Sequence, residues 1–414
     1  MELKPGFKKT DVSDERQAWR DCDISDLCSL QRGFDITEAT RKPGTVPVYS
    51  SSGLSYFHNE AKLQPPAVIT GRKGILGKVF FVEEPCWPHD TTLWVKDFKG
   101  NDPRFVSIFL SQFQLERFDA ATSVPTLNRN NLVGIPIRLP SLHEQRTIAA
   151  ALSDVDALIR GLDQIIAKKR DLKQAAMQQL LTGKQRLPGF CQKPGYKQTE
   201  IGVIPADWEV KVLGDIFDIS GGLSASRDQL TSEGHCYLHY GDIHTSAKSF
   251  IDVRTEYSDI PKLNIPLKRV SSKSLLADGD IVFVDASEDD EGTSKHVVII
   301  NPEGVPFISG LHTIVAKSKS ASLDNGYKRY CFQTSDVKRL FHFYAVGTKV
   351  SGISKTNIKK LLIPIPPIQE QAAIATVLSD MDAEIAALEQ RRDKTRTLKQ
   401  GMMQELLTGR IRLV

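Results

Sequence analysis

The stretch LHEQRTIAAALSDVDALIRGLDQ at residues 142–164, completed by LKQAAMQQLLTGKQRL at 172–187, decides the architecture of this chain. It is written a second time, as IQEQAAIATVLSDMDAEIAALEQ at 368–390 and LKQGMMQELLTGRIRL at 398–413. The offset is 226 residues throughout, without a gap. Upstream, KPGFKKTDV at 4–12 returns as KPGYKQTEI at 193–201, and Trp19 returns as Trp208, both at an offset of 189. The chain is therefore two half-molecules that open alike and close alike, with a middle about 37 residues longer in the second half. A long internal repeat outranks other sequence signals for architecture.

The closing segments read as helices. Ile148, Leu152, Val155, Ile159, Leu162 and Ile166 alternate steps of four and three, and so do Ile374, Leu378, Met381, Ile385 and Leu388. That 3.5-residue period is a helix-pair seam of the coiled-coil kind. Gly183 and Gly409, each after Leu-Leu-Thr, supply the stops. Lys169, Lys173, Arg392, Thr395 and Lys399 fall on the later seam positions, with Leu172 and Leu398 one position off. This predicts a register change, with the basic residues facing out or at a rim. A narrow apolar stripe needs a cover. The other copy, antiparallel, is the simplest; the alternative is that each helix packs on its own domain.

Composition sets the class. The 414 residues allow two or three domains, and 40% hydrophobic with 25% charged residues is ordinary for a soluble protein. No apolar run approaches a membrane span, and the start MELKPGFKKTDVSDERQ lacks an apolar signal core, so a cytoplasmic, non-membrane protein is expected. The six cysteines are scattered without a CxxC pair, which favours reduced thiols over zinc or disulfides. A net charge of +4 neither argues for nor excludes nucleic acid.

The middles, from Trp19 and from Trp208, carry short β-branched and aromatic runs: 46–49, 67–70, 77–82 and 92–95, then 280–284, 296–300 and 313–316. Each predicts a mixed α/β globule, mostly strand. Proline-punctuated entries at 135–145 and 362–371 predict a stiff extended approach to each helix. Between the halves, 183–208 is rich in Gly and Pro and predicts a linker with little regular structure.

Several loops carry candidate chemistry. Gly71–Lys78 departs from a phosphate loop, because Val79 follows Lys78 where Ser or Thr is required. It reads as a glycine-rich hairpin tip carrying Arg72, Lys73 and Lys78, able to approach a phosphate backbone and equally able to be a plain surface turn. TSVPTLNRNN at 122–131 offers Asn128, Arg129 and Asn130; GTKVSGISKTN at 347–357 offers Lys349, Ser351 and Lys355. Such side chains read base edges or phosphates, and also populate ordinary loops. His89, Thr91 and Thr92 in one half correspond to His312 and Thr313 in the other. A polar pair at a strand start fits these better than a metal or catalytic site, since no second His stands at ligand spacing. His239, Tyr240 and Asp242, with Lys295, form a further recognition loop or turn. G-x-G-x-x-G, HExxH, the phosphate loop and the Pro-Pro-Tyr motif of amino-methylating enzymes are all missing. Asp97-Phe-Lys99 and Asp171-Leu-Lys173 fit only the loose D-x-K of nucleases.

Taken together, the residues resemble a DNA-specificity subunit of a type I restriction-modification system, over essentially the whole chain. The resemblance is carried by Leu187-Pro-Gly-Phe190, Thr199-Glu-Ile-Gly202 with Ile204-Pro-Ala-Asp-Trp208, and Pro-Pro-Ile-Gln-Glu-Gln371. Its strongest parts are Leu-Ser-Asp at 152–154 and 378–380 and Met-Gln-x-Leu-Leu-Thr-Gly at 177–183 and 403–409. Ser141 departs from the pattern where the second copy has Pro367.

The resemblance implies an α+β chain: two mixed α/β target-recognition domains (1–140 and 208–366) separated by two long antiparallel coiled-coil helices (141–184 and 367–414), a linker at 185–207, and a pseudo-twofold tandem repeat. It implies that each domain reads one half of a bipartite double-stranded DNA site. It also implies no catalysis and no cofactor in this chain. Its partners would be two modification (methyltransferase) subunits, which use S-adenosylmethionine, and restriction subunits, with ATP and Mg used by the partners.

Overall fold

A computed structural model describes residues 7–9, 19–119, 124–191, 194–244, 246, 248–287, 294–347 and 351–413. The chain divides into two compact units: Met1–Gln164 with Glu389–Val414, and Ile165–Leu388. Both long helices are present, Leu142–Leu180 and Ile368–Leu406, 39 residues each. Each gives its first part to one unit and its last part to the other.

In unit one a four-stranded sheet has the order Ser29–Arg32, Thr92–Asp97, Ala67–Gly71, Val79–Val82, and a three-stranded sheet has the order Gly53–His58, Val46–Ser50, Trp87–Pro88. In unit two a five-stranded sheet runs Phe217–Gly221, Thr313–Ser318, Ile281–Val284, His296–Ile300, Phe250–Asp252. The β-branched runs expected as strands all lie in these sheets. Ile281–Val284 is buried along its whole length, which is why it reads as a continuous apolar run.

The frame around the sheets is copied in register. Arg20–Asp23 pairs antiparallel with Pro136–Leu139 in unit one, and Glu209–Val212 with Leu362–Ile365 in unit two. The registers, Asp23↔Pro136 and Val212↔Leu362, keep the 189 and 226 offsets. One helical turn follows each first strand, Ile24–Leu27 and Leu213–Ile216.

The Glu-Gln pair that opens each long helix is buried. In unit one Glu144 accepts the Trp19 indole N–H at 3.2 Å and a two-point bond from Arg412 at 2.7 and 2.6 Å. In unit two Glu370 accepts Trp208 at 2.9 Å and Arg186 at 2.5 and 2.8 Å. Gln145 and Gln371 each hold an Asp backbone N–H, of Asp102 and Asp324, at 2.9 Å. They also donate to the proline carbonyls of Pro140 and Pro366. These bonds fix the start of each helix, because a buried carboxylate and amide need every partner. Gly183 and Gly409, at φ +68° and +72°, lie close against the Trp208 and Trp19 rings, where a side chain has neither the backbone freedom nor the room.

Within each unit the two helix parts run in opposite directions. In unit one Asp156 pairs with Lys399, and Asp163 with Arg392 and Arg396. In unit two Lys173 pairs with Asp382, and Lys169 with Glu384. Of the seam residues Ile148, Leu152, Leu162, Ile166, Ile374, Leu378 and Ile385 are buried, and Val155, Ile159, Met381 and Leu388 half-buried. The helix ends join the globular cores: Ile148 and Leu152 pack with Met403 and Leu406, and Met177 and Leu180 with Ile374 and Leu378.

Two expectations are corrected. The seam does not change register: Leu172 and Leu398 are 48% and 55% exposed, while Lys169, Lys173, Arg392, Thr395 and Lys399 stay half-buried on the seam. Acidic partners across the helix pair satisfy the four cations there. The segment 183–208 is also more ordered than its composition suggests. It carries a hairpin, Tyr196–Thr199 with Gly202–Pro205, and Arg186 is fixed by Asp207 as well as Glu370. Burial opposes the Arg186 charge, but Asp207 and Glu370 outweigh it and raise its pKa.

Among the described residues no helix is long and apolar enough to cross a membrane. None of the six cysteines is bonded to another.

Candidate nucleic-acid interface

Three chain segments converge at one end of each sheet, and they share one pattern of backbone bonds in the two units. In unit one the Arg72 N–H donates to Thr91 O at 2.8 Å, and the Leu127 N–H to Arg72 O at 2.7 Å. In unit two Asp285 donates to His312 O at 3.2 Å, and Ile353 to Asp285 O at 2.8 Å. Thr92 and Thr313 are buried, and each hydroxyl donates to the carbonyl three residues back, both at 2.6 Å. Gly33 and Gly222 pass so close to the carbonyls of His89 and Gly310 that an added Cβ would sit at 2.0 and 1.9 Å. The backbone is thus matched position for position: Gly33 with Gly222, Arg72 with Asp285, Thr91 with His312, Leu127 with Ile353. The side chains are not.

In unit one the junction is an arginine–aspartate cluster. Asp90 takes Arg32 at 2.8 Å and Arg72 at 3.6 Å, and the Arg72 Nε donates to the Asp90 carbonyl at 2.8 Å. Burial and the neighbouring Arg32 lower the Arg72 pKa, and Asp90 opposes them. Arg72 is therefore folded back, while Lys73 and Lys78 remain exposed. His89 Nδ1 lies 3.1 Å from Thr91 Oγ1 and 3.0 Å from Asp90. Asp35, His89 and Asp90 each offer a ligand atom within 4.8 Å of the others, but the Asp90 carboxylate is taken by the two arginines. Lys73 is bridged to Thr126, which brings the hairpin tip beside the loop that leads to Asn128–Asn130. Asn128 itself caps the Asn130 N–H, and Arg129 reaches back to Leu30 O at 3.4 Å.

In unit two the junction is aromatic and acidic. The rings of His239 and Tyr240 stand 4.5 Å apart, and Tyr240 meets His312 edge-on at 5.5 Å. His312, in the left-handed region at φ +56°, faces Asp285 at 3.2 Å and is half exposed. Asp242 accepts the His239 N–H and lies 3.6 Å from Arg227. Burial, then Arg227, lowers the His239 pKa. Ser351 pairs with Ser287 at the same junction, and the Lys355 ammonium lies against Gly221. Lys295 donates to His244 O at 2.6 Å, on the strand start of His296–Ile300. Lys349 lies outside the described residues, as do Thr122 and Ser123.

The structure therefore brings Arg72, Lys73, His89, Thr91 and Thr92 together in unit one. In unit two it gathers His239, Tyr240, Asp242, His312 and Thr313. Thr92 and Thr313 serve the backbone rather than the surface. Arg32 and Asp285, central to the two clusters, carried no motif; Arg32 is marked only by standing beside Gly33 in the 189-residue frame, and Asp285 is matched to Arg72 only by the backbone bonds. A polar junction with arginine, lysine, histidine and short hydroxyls suits hydrogen-bonded recognition of base edges and phosphates.

The sequence matches the family described as type I restriction modification DNA specificity domain twice, over residues 17–168 and 205–395. It is 30% identical over 300 residues to a putative type I restriction enzyme MjaX specificity subunit of Methanocaldococcus jannaschii, a match covering 71% of this chain and 63% of that protein. The chain thus spans less than two thirds of that relative. It is 28% identical over 318 residues to the MjaVIII specificity subunit of the same organism, covering 75% and 70%. In fold it is similar to the S subunit of a type I restriction-modification system from M. genitalium, with a TM-score of 0.58 at 13% identity over 96% of this chain and 98% of that one. A chain from a structure on complex assembly and conformational transition of the type I R-M system gives 0.58 at 16% identity, over 95% and 98%. With one matched stretch in each half, together spanning most of the sequence, the chain belongs to the type I restriction-modification DNA specificity family.

Proposed function

We propose that this chain is the DNA-reading subunit of a type I restriction-modification complex and performs no chemistry itself. Each unit reads one half of a bipartite duplex target through its three-segment junction. The observation that carries this reading is the junction built twice on one backbone with different side chains, Arg72 in one and Asp285 in the other. A frame held constant suits two like partners, and contents that differ suit two unlike half-sites. The long helices act as a coiled-coil spacer of about 58 Å each, from 39 residues at 1.5 Å. They fix the interval between half-sites and dock two modification subunits, which methylate with S-adenosylmethionine. Restriction subunits join the same assembly and use ATP and Mg. Reading both half-sites through one linked body removes a second association cost.

In unit one Lys73 and Lys78 hold phosphates, and Arg72 holds the junction that positions them. Replacing Arg72, Lys73 and Lys78 with Gln should weaken duplex binding and reduce the slope of log K against log salt by about 2, since each lost phosphate contact removes roughly 0.9. An unchanged slope would remove these residues from the interface.

A further inference from the structure

The frame builds a second repeated feature, a cleft beside the edge strand of each main sheet. In unit one it lies between Ile24–Leu30 and Arg129–Val133, and in unit two between Gly214–Ser220 and Lys359. The shared part of the lining keeps the repeat offsets, Ser25, Cys28, Ser29 and Leu30 against Gly214, Phe217, Asp218 and Ile219 at 189 and Val133 against Lys359 at 226, whereas Ser272, Lys273, Lys317 and Lys319 line the unit-two cleft alone. The linings differ. The unit-one cleft is small, about 200 Å³, and apolar apart from Arg129, Asn130 and a few short polar side chains. The unit-two cleft is about 440 Å³ and is lined by Lys273, Lys317, Lys319 and Lys359 with the hydroxyl of Ser272.

Two of these lysines are engaged. Lys317 is paired with buried Asp280 at 2.5 Å, and Lys319 donates to Gly214 O at 2.7 Å and faces Asp218 at 3.6 Å. Lys273 and Lys359 are exposed, and among the described residues neither forms an ion pair. The cleft therefore keeps two uncompensated positive charges: four lysines against Asp218 and Asp280. Lys319 N–H donates to Ile216 O, and the register with Thr313–Ser318 follows from it, so the Ile219 N–H turns away from the sheet toward this edge. The strand that floors the cleft ends at Gly221, where the Lys355 ammonium lies and the unit-two junction begins.

We propose that the unit-two cleft is a phosphate-binding site, with Lys273 and Lys359 supplying the charge. Its position on the strand leading to the junction makes the backbone of bound duplex the source of the phosphate, and in that respect it rests on the DNA-reading function above. Free phosphate offers the same chemistry, and two arms separate the sources. The full chain and its Lys273→Gln/Lys359→Gln variant are titrated with duplex DNA at several salt concentrations and, separately, with inorganic phosphate. Both substitutions are on exposed side chains, so circular dichroism should be unchanged.

For a backbone phosphate, the variant's salt slope falls by about 1 to 2, with inorganic phosphate bound equally weakly by both proteins. An unchanged slope with saturable phosphate binding lost in the variant keeps the site and assigns it to free phosphate. If the parent chain binds inorganic phosphate, the variant does not, and neither binds duplex, the DNA-reading function fails and the site stands. Unchanged slope together with unchanged phosphate binding overturns the proposal.

Discussion

Glu144 and Glu370 show what the repeat conserves at the scale of a residue. Each is buried, and each is held by one tryptophan and one arginine from a distant part of the chain. Removing one partner of a buried ion pair leaves a bare charge in the interior, at about 3–5 kcal/mol. Arg412→Ala should therefore destabilise unit one by that amount in urea unfolding followed by tryptophan emission. Arg412→Lys should recover only part of it, because an ammonium cannot make the two-point bond. A loss below about 1 kcal/mol would show that the pair is solvated.

Histidines set a second residue-scale expectation. Burial lowers the pKa of His296, which lies between the carbonyls of Ser294 and Lys328, and of His239. Both groups bind protons more readily in the unfolded chain. Their contribution is complete above the ordinary histidine value of about 6.5 and is lost as the pH falls below it. Thermal unfolding of the full chain should move down between about pH 7.5 and pH 5.5, and His296→Asn should flatten that dependence. A pH-independent midpoint contradicts the assignment.

At the scale of elements, the strands and the long helices were legible because period and length report them directly. The unbroken register of the seam was not, because the sequence shows Lys173 and Lys399 on the seam without showing Asp382 and Asp156 opposite them. A lysine reads as solvent-facing until its partner is known. The hairpin at 196–205 was hidden for the opposite reason: Gly and Pro mark its turn and ends, so composition reads as coil. The helices also carry a prediction. Inserting four residues after Lys173 lengthens one helix by about 6 Å. Methylated-site mapping should then show the half-sites separated by roughly one to two more base pairs, at about 3.4 Å each. An unchanged interval would mean that something other than the helices sets it.

At the scale of the whole molecule, the duplication was plain in the sequence and the sites were only partly so. His89, Thr91 and Arg72 could be named as candidates, but their convergence depends on backbone bonds between segments far apart in the chain. The 37 extra residues of the second half are spread between matched points. The offset is 189 at Gly33/Gly222, 213 at Arg72/Asp285, 221 at Thr92/Thr313 and 226 from Leu127/Ile353 onward. The frame absorbs all of them without losing its register.

That property defines the most direct test. Replace residues 34–126 with a copy of 223–352, so that both frames carry the second unit's contents, and express the chain with its modification subunits. Sequencing the methylated DNA should then reveal an inverted repeat of one half-site at the original spacing. Retention of the original asymmetric target by the folded chimera would contradict the claim that each half reads DNA through the contents of its own frame.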